Sequence, residues 1–281
     1  MAPINNTPQL NKTAHQSSNP KGRIPAALRH LTPSDGLYQI VSLDLGTGYT
    51  SIHTAELQVT SERFTNLKSL NPKYFHRYRG NFEPRPESIT EAPTKCAHIP
   101  GETDESEAQH GMEVDSAGGE TGAVIVDTMK EVLYSGPEAS KQKETLRALA
   151  LKIPYLEARY KHTKLETHPE IWILADYIHG LAEQVTLSIV EEGFERDLIW
   201  VCTIPSNWNH ASHKLYTLAL DASPFLVGRY ILQSEIESAI AGLTYKCPKQ
   251  SRLDNGDVFF AFDIGKGTSV SEFPHASPTS Y

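Results

Sequence analysis

Residues 37–57 read LYQIVSLDLGTGYTSIHTAEL, and this stretch decides the fold. Apolar and β-prone residues run up to Asp44, where Gly46-Thr47-Gly48 interrupts them, so a buried strand enters a tight turn. A second run, from Tyr49 to Leu57, follows at once and makes the pair a β-hairpin. The turn also has a chemical reading. Glycine tolerates positive φ and close backbone approach, so successive N–H groups turn inward as an anion nest. A carboxylate beside such a nest suits Mg²⁺ held through its waters. The Thr47 hydroxyl adds a contact to a phosphate oxygen or a water.

The same design recurs far down the chain. The strand DVFFAFD, residues 257–263, runs to Asp263, and Ile264-Gly265-Lys266-Gly267-Thr268 follows. Two such elements describe a site for a polyphosphate and a metal, where catalysis is mostly positioning and electrostatics.

Between them the pattern alternates. Segments 122–128 and 131–136 read as short strands, and PEASKQKETLRALALKI reads as a helix led by Pro137. A long helix follows Thr167, with Thr167-His-Pro-Glu170 as a capping box. Ile171, Leu174, Ala175, Ile178, Leu181, Ala182, Val185 and Ile189 form its apolar stripe. Strand 198–204, helix 207–221, strand 229–233 and a helix capped by Ser234-Glu-Ile-Glu237 complete the series. Strands separated by helices imply parallel neighbours, so the expected fold is α/β, a mixed β-sheet flanked by helices.

Composition sets the bounds. The 281 residues fit one large domain or two small ones at about 150 residues each. The net charge of −8 argues against a nucleic-acid or anionic-membrane binder, and no apolar run approaches the roughly 18 residues of a membrane span. Residues 1–36, rich in Asn, Pro, Ser and Thr, read as a disordered tail. Residues 81–120 hold ten acidic and two basic residues, which accounts for the whole −8. They read as a disordered acidic insert in a surface loop. Cys96, Cys202 and Cys247 are far apart and suit a reducing compartment, so the cytoplasm is expected. His210 and His213 read as a polar helix face, Cys202 as core, and His53 as the exposed side of a strand.

The motifs in chain order resemble a known family. YQIVSLDLGTGYTSI resembles the first phosphate loop of the actin-like ATPase superfamily, most closely the DnaK-type seventy-kilodalton heat-shock chaperone family in its divergent fungal-type members. VLYSGPEA, WVCTIPSNWNHASHKLYTLAL and ILQSEIESAIAGLTY resemble later segments of that family, with Ile236 in place of a proline. VFFAFDIGKGTSV resembles its second phosphate loop. The resemblance implies a ribonuclease H-like first lobe over 37–256, carrying the insert, with 257–281 as the opening strand and loop of a second lobe. That second lobe, the adenosine-binding loop and the peptide-binding domain find no counterpart in SEFPHASPTSY, residues 271–281.

Carried over by position, the resemblance implies ATP and Mg²⁺ as ligands. Asp44 and Asp263 would hold the hydrated metal, and Gly46, Thr47, Gly48 and Tyr49 would bind phosphates. Gly265, Lys266, Gly267 and Thr268 would form the second nest, with Lys266 in place of its middle glycine. Thr47, Glu235 and Asp263 would carry the catalytic roles, Glu235 helping to order the attacking water. Arg147 and Lys152 both stand near the place of the family's basic residue. ATP and ADP are the implied partners, with unfolded polypeptide or a co-chaperone in a full-length relative. Two other readings stand beside Mg-ATP binding: a non-catalytic, partner-binding fragment of the family, and a sugar or acetate kinase-like phosphotransferase that shares both loops.

Overall fold

The computed structural model describes residues 36–59, 64–70, 91–104, 108–111, 114, 122–191, 197–246, 261–264 and 269–272. Its centre is a mixed sheet. Strands β1 (Gly36–Leu45), β2 (Tyr49–Val59) and β3 (Phe64–Leu70) run antiparallel in sequence, and β4 (Glu91–Pro93) pairs with the start of β2. On the other side of β1, β8 (Asp197–Ile204) and then β9 (Tyr230–Ser234) lie parallel to it, giving the order β3-β2-β1-β8-β9. The hairpin read from 37–57 is present with Leu45 opposite Thr50.

One face of this sheet is the core. Val41, Leu43 and Leu45 on β1, Ile52 on β2, and Trp200 and Cys202 on β8 are buried there. Helices α1 (Pro137–Ala150), α2 (Pro154–Tyr160), α3 (Trp172–Glu191) and α4 (His210–Asp221) supply the other half of the core. The apolar stripe read on α3 is almost wholly inside, with Leu174, Ile178, Leu181, Val185 and Ile189 all buried. Each large aliphatic side chain removed from water in this way contributes roughly 1.5–3 kcal/mol. Pro137 opens α1, and the preceding Gly136 sits at φ 121°, a conformation that costs glycine little and other residues much. Helix α5 (Glu235–Lys246) follows β9 directly.

Several local expectations are corrected. The segment 131–136 is no strand: Met129–Leu133 is a 3₁₀ turn. Met129, Val132 and Leu133 enter the core at steps of three and four, which a strand's period of two could not achieve. The capping box at Thr167 does not form. His168 precedes a 3₁₀ turn, Pro169–Ile171, makes no side-chain cap, and pairs with Glu170 through Nδ1 at 3.1 Å. Helix α4 starts at His210, three residues later than expected, because the Asn209 side chain caps it by accepting from the Ser212 N–H at 2.9 Å.

The acidic stretch 81–120 contains folded chain. Strands β5 (Cys96–His98), β6 (Gln109–His110) and β7 (Val124–Val126) form a three-stranded sheet in the order β6-β5-β7. Ala92, Cys96, Ala97, His98 and His110 are buried, so net charge over the whole stretch concealed a short apolar and histidine-bearing core. Near the end of the chain, β10 (Ala261–Ile264) and β11 (Ser269–Glu272) pair with each other as a separate hairpin. The apolar strand read over 257–263 thus finds a partner within the chain for its described part. Residues 1–35 and 257–260 lie outside the described residues. Among the described residues, no helix is long and apolar enough to cross a membrane.

Candidate functional site

Strands β1, β8 and β9 run in one direction, so their carboxyl ends lie side by side, where open α/β sheets collect their ligands. Asp44 stands at the end of β1, exposed, and its Oδ1 accepts a 2.7 Å hydrogen bond from the Thr203 hydroxyl on β8. Past the end of β9, Glu235 opens α5, and its Oε1 lies 3.4 Å from the Lys130 ammonium. Beneath them the Tyr216 hydroxyl is fully buried without a hydrogen-bond partner among the described residues. Burial chiefly, and then the charges of Cys202, Asp44, Glu235 and Tyr230, push that phenol well above its usual range. One buried ring therefore feels both carboxylates.

The turn after Asp44 is built for close approach. A Cβ on Gly46 would collide with the Tyr49 carbonyl oxygen, so no side chain fits. The Gly46 N–H donates to that same oxygen at 3.0 Å. Neither Gly46 nor Gly48 is at positive φ, which corrects the nest geometry read from the sequence: glycine is needed at 46 for space. The turn is also braced from behind. The Thr94 hydroxyl donates to the Gly46 carbonyl at 2.8 Å, and the Thr94 N–H donates to the Gly48 carbonyl at 3.0 Å. Thr50 Oγ1 is 2.9 Å from Thr94 Oγ1, and Tyr177 on α3 donates from its hydroxyl to Thr50 at 2.9 Å. A hydroxyl relay thus runs from α3 to the turn. Tyr49 is exposed at the tip.

The second hairpin repeats the first in register. Leu45 faces Thr50 across a four-residue turn, and Ile264 faces Ser269 with four residues between them in the chain. Asp44 and Asp263 each stand one residue before that closing pair. Gly265, Lys266, Gly267 and Thr268, and the side chain of Asp263, lie outside the described residues.

Neither candidate for the basic residue makes a contact with this group among the described residues. Arg147 is turned to Glu170, 3.9 Å away, and is more than half exposed. Lys152 is exposed, and its backbone carbonyl accepts from Gly101. Lys130 is the cation beside Glu235, and it escapes sequence reasoning because it falls between the two segments read as strands, 105 residues from its partner. The hydroxyls of Thr203 and Thr94 were missed as well, although the alternation along β8 places Thr203 on the face opposite Cys202.

A second polar group lies inside the protein. Asp176 on α3 is buried. Its Oδ2 accepts from His110 Nε2 at 3.0 Å and from the Tyr155 hydroxyl at 2.9 Å, and its Oδ1 accepts from Arg159 at 2.6 Å. Burial alone would raise this carboxyl, but His110, His98 and Arg159 outweigh it and hold it well below the usual carboxylate range. The Tyr155 hydroxyl also meets His98 Nδ1 at 2.8 Å. Since Tyr155 donates to Asp176, His98 donates from Nδ1, leaving its Nε2 buried without a partner among the described residues. Burial, partly countered by Asp176, lowers its pKa to about 4. Gly180 admits the His110 ring, whose Nδ1 would lie 2.8 Å from a Cβ there. This network fastens the β5-β6-β7 sheet to α3. Cys202 is core, its thiol pushed up to about 12 by burial, and His213 packs against Trp208 at 6.4 Å. His53 is exposed on β2.

No protein-family model and no curated protein matches the chain. Among solved structures, the Aquifex aeolicus PPX-GPPA enzyme is similar at 11% identity and a TM-score of 0.26. The likeness covers 85% of this chain and 49% of that one, so the chain spans about half the length of that structure.

Proposed function

We propose that this chain binds a nucleoside triphosphate together with a divalent cation, as Mg-ATP, at the carboxyl ends of β1, β8 and β9. The reading is that of an actin-like ATPase first lobe. The observation that carries it is the convergence of Asp44, Thr203 and Glu235 at that edge, beside a turn where Gly46 has no room for a side chain.

The donor set suits a hydrated hard cation. Asp44 is exposed and oriented through one oxygen by Thr203, and its other oxygen takes no hydrogen bond among the described residues. Asp44 and Asp263 would hold the hydrated Mg²⁺, which would supply positive charge against the phosphates. The chain's own residues do the rest. The braced turn presents the backbone of Gly46–Tyr49 in one geometry, Thr47 offers its hydroxyl, and Glu235 accepts a proton-bearing group, water included. Such a site lowers a barrier through placement of charge. Thr203 keeps the Asp44 carboxylate from rotating, which spares entropy on binding.

Calorimetric titration with Mg-ATP tests the reading. The unaltered chain binds, and Asp44→Ala loses affinity by about tenfold or more, the equivalent of about 1.4 kcal/mol. An unaltered chain that gives no heat with Mg-ATP ends the proposal.

A further inference from the structure

Lys130 is a buried cation. Its side chain is only 6% exposed, because the 3₁₀ turn that carries it sinks Met129, Val132 and Leu133 into the core. The ammonium lies 3.4 Å from Glu235 Oε1 and 5.6 Å from the centre of the Trp208 ring. Burying an ammonium is costly unless it is paired, and a cation over an indole face recovers part of that cost. Trp208 is itself held edge-on by Tyr134 at 6.1 Å and Tyr216 at 5.3 Å. Asn209 donates to the Ser135 hydroxyl at 2.8 Å, tying the segment after the turn to the segment that bears Trp208. Lys130 is therefore boxed in.

Glu235 is the more exposed of the two. It is the first residue of α5, partly exposed, with a flexible side chain. Left alone, it and Asp44 would gather negative charge at the edge where a polyphosphate must approach, and like charges repel.

We infer that Lys130 is a positioning residue: its ammonium, pinned over Trp208, fixes the Glu235 carboxylate at the rim of the nucleotide site and offsets part of the charge gathered there. This rests on the nucleotide reading above. Loss of Lys130 acts twice, by removing the cation that orients Glu235 and by making the site more negative toward an anion.

The test is Mg-ATP titration of the full chain and of Lys130→Met, Lys130→Arg, Glu235→Gln and the Lys130→Met/Glu235→Gln pair, with tryptophan emission recorded alongside. Lys130→Met weakens affinity by about tenfold, and Lys130→Arg, which keeps the charge, stays within about threefold. In the Glu235→Gln background the Lys130→Met loss shrinks, because the two residues act as one. Mg-ATP shifts the emission of the unaltered chain, and Trp208→Phe and Lys130→Met abolish the shift. Undiminished affinity in Lys130→Met, or fully additive losses in the pair, overturns the positioning role alone. Absence of Mg-ATP binding by the unaltered chain overturns the nucleotide reading and this inference with it. Should Lys130→Met fail to fold, Trp208 emission decides: a signal blind to Mg-ATP in a chain that binds it overturns the role.

Discussion

Lowering the pH from 7 toward 4 forces a choice on His98. In the folded chain this imidazole is buried and neutral, with a pKa of about 4, while in the unfolded chain it titrates near the ordinary value of 6.5. Between those two values the unfolded state binds a proton that the folded state refuses, so stability falls as pH falls through that window. The contribution is whole above about 6.5 and is exhausted below about 4. One proton corresponds to about 1.4 kcal/mol per pH unit, so the window holds about 3 kcal/mol at most. Asp176 acts in the same direction at lower pH, because its depressed pKa favours the folded state until the pH drops below the usual carboxylate value. The two groups therefore separate along the pH axis. Urea denaturation at pH 7.0, 6.0, 5.0 and 4.5 measures the effect, with His98→Gln as the comparison. Gln keeps an N–H for Tyr155 and takes up no proton. The unaltered chain loses stability more steeply than His98→Gln between pH 6 and 4.5, by up to about 1.4 kcal/mol per unit. Parallel curves for the two chains would show that His98 does not stay neutral inside the protein.

Two further outcomes concern the first turn. Gly46→Ala places a methyl group against the Tyr49 carbonyl and costs about 1–3 kcal/mol of stability, read by thermal or urea denaturation, together with weaker Mg-ATP binding. A variant as stable as the parent would mean that the turn is not held as tightly as its contacts indicate. Tyr177→Phe removes the hydroxyl that reaches Thr50 and, at 3.1 Å, the Pro93 carbonyl, and costs about 1–2 kcal/mol. Hydrogen exchange at the Thr94 amide, which donates to Gly48, rises in that variant if the relay braces the turn, and stays unchanged if it does not.

What the sequence disclosed and what it hid follow from the range of the interactions. The hairpin of β1 and β2, the stripe of α3 and the alternation of β8, α4 and β9 are local periods, and each is present. Asp44 was legible because a strand, an acid and glycines are adjacent in the chain. Lys130 was not, because its partner Glu235 is 105 residues away. The brace on the turn was hidden in the same way, since Tyr177 and Thr50 are separated by 127 residues. His98 and His110 sit in a stretch whose carboxylates dominate its composition, and the residue that explains them, Asp176, lies on α3, 66 positions beyond His110. Residues 131–133 of the 3₁₀ turn read as the start of a strand because Val132 and Leu133 are strand-prone. Tertiary burial of Met129 with them settled the matter against local preference.

Asp176 and Tyr177 are neighbours on α3, and each has a separate errand. One anchors the small sheet by its histidine, and the other steadies the glycine turn through two threonines. A helix gripped in both directions at adjacent residues has no slack to slide along its axis or roll about it. The floor beneath Asp44 therefore behaves as an anvil, already shaped before anything lands on it, and the exposed Tyr49 tip is the part of the turn left with room to yield.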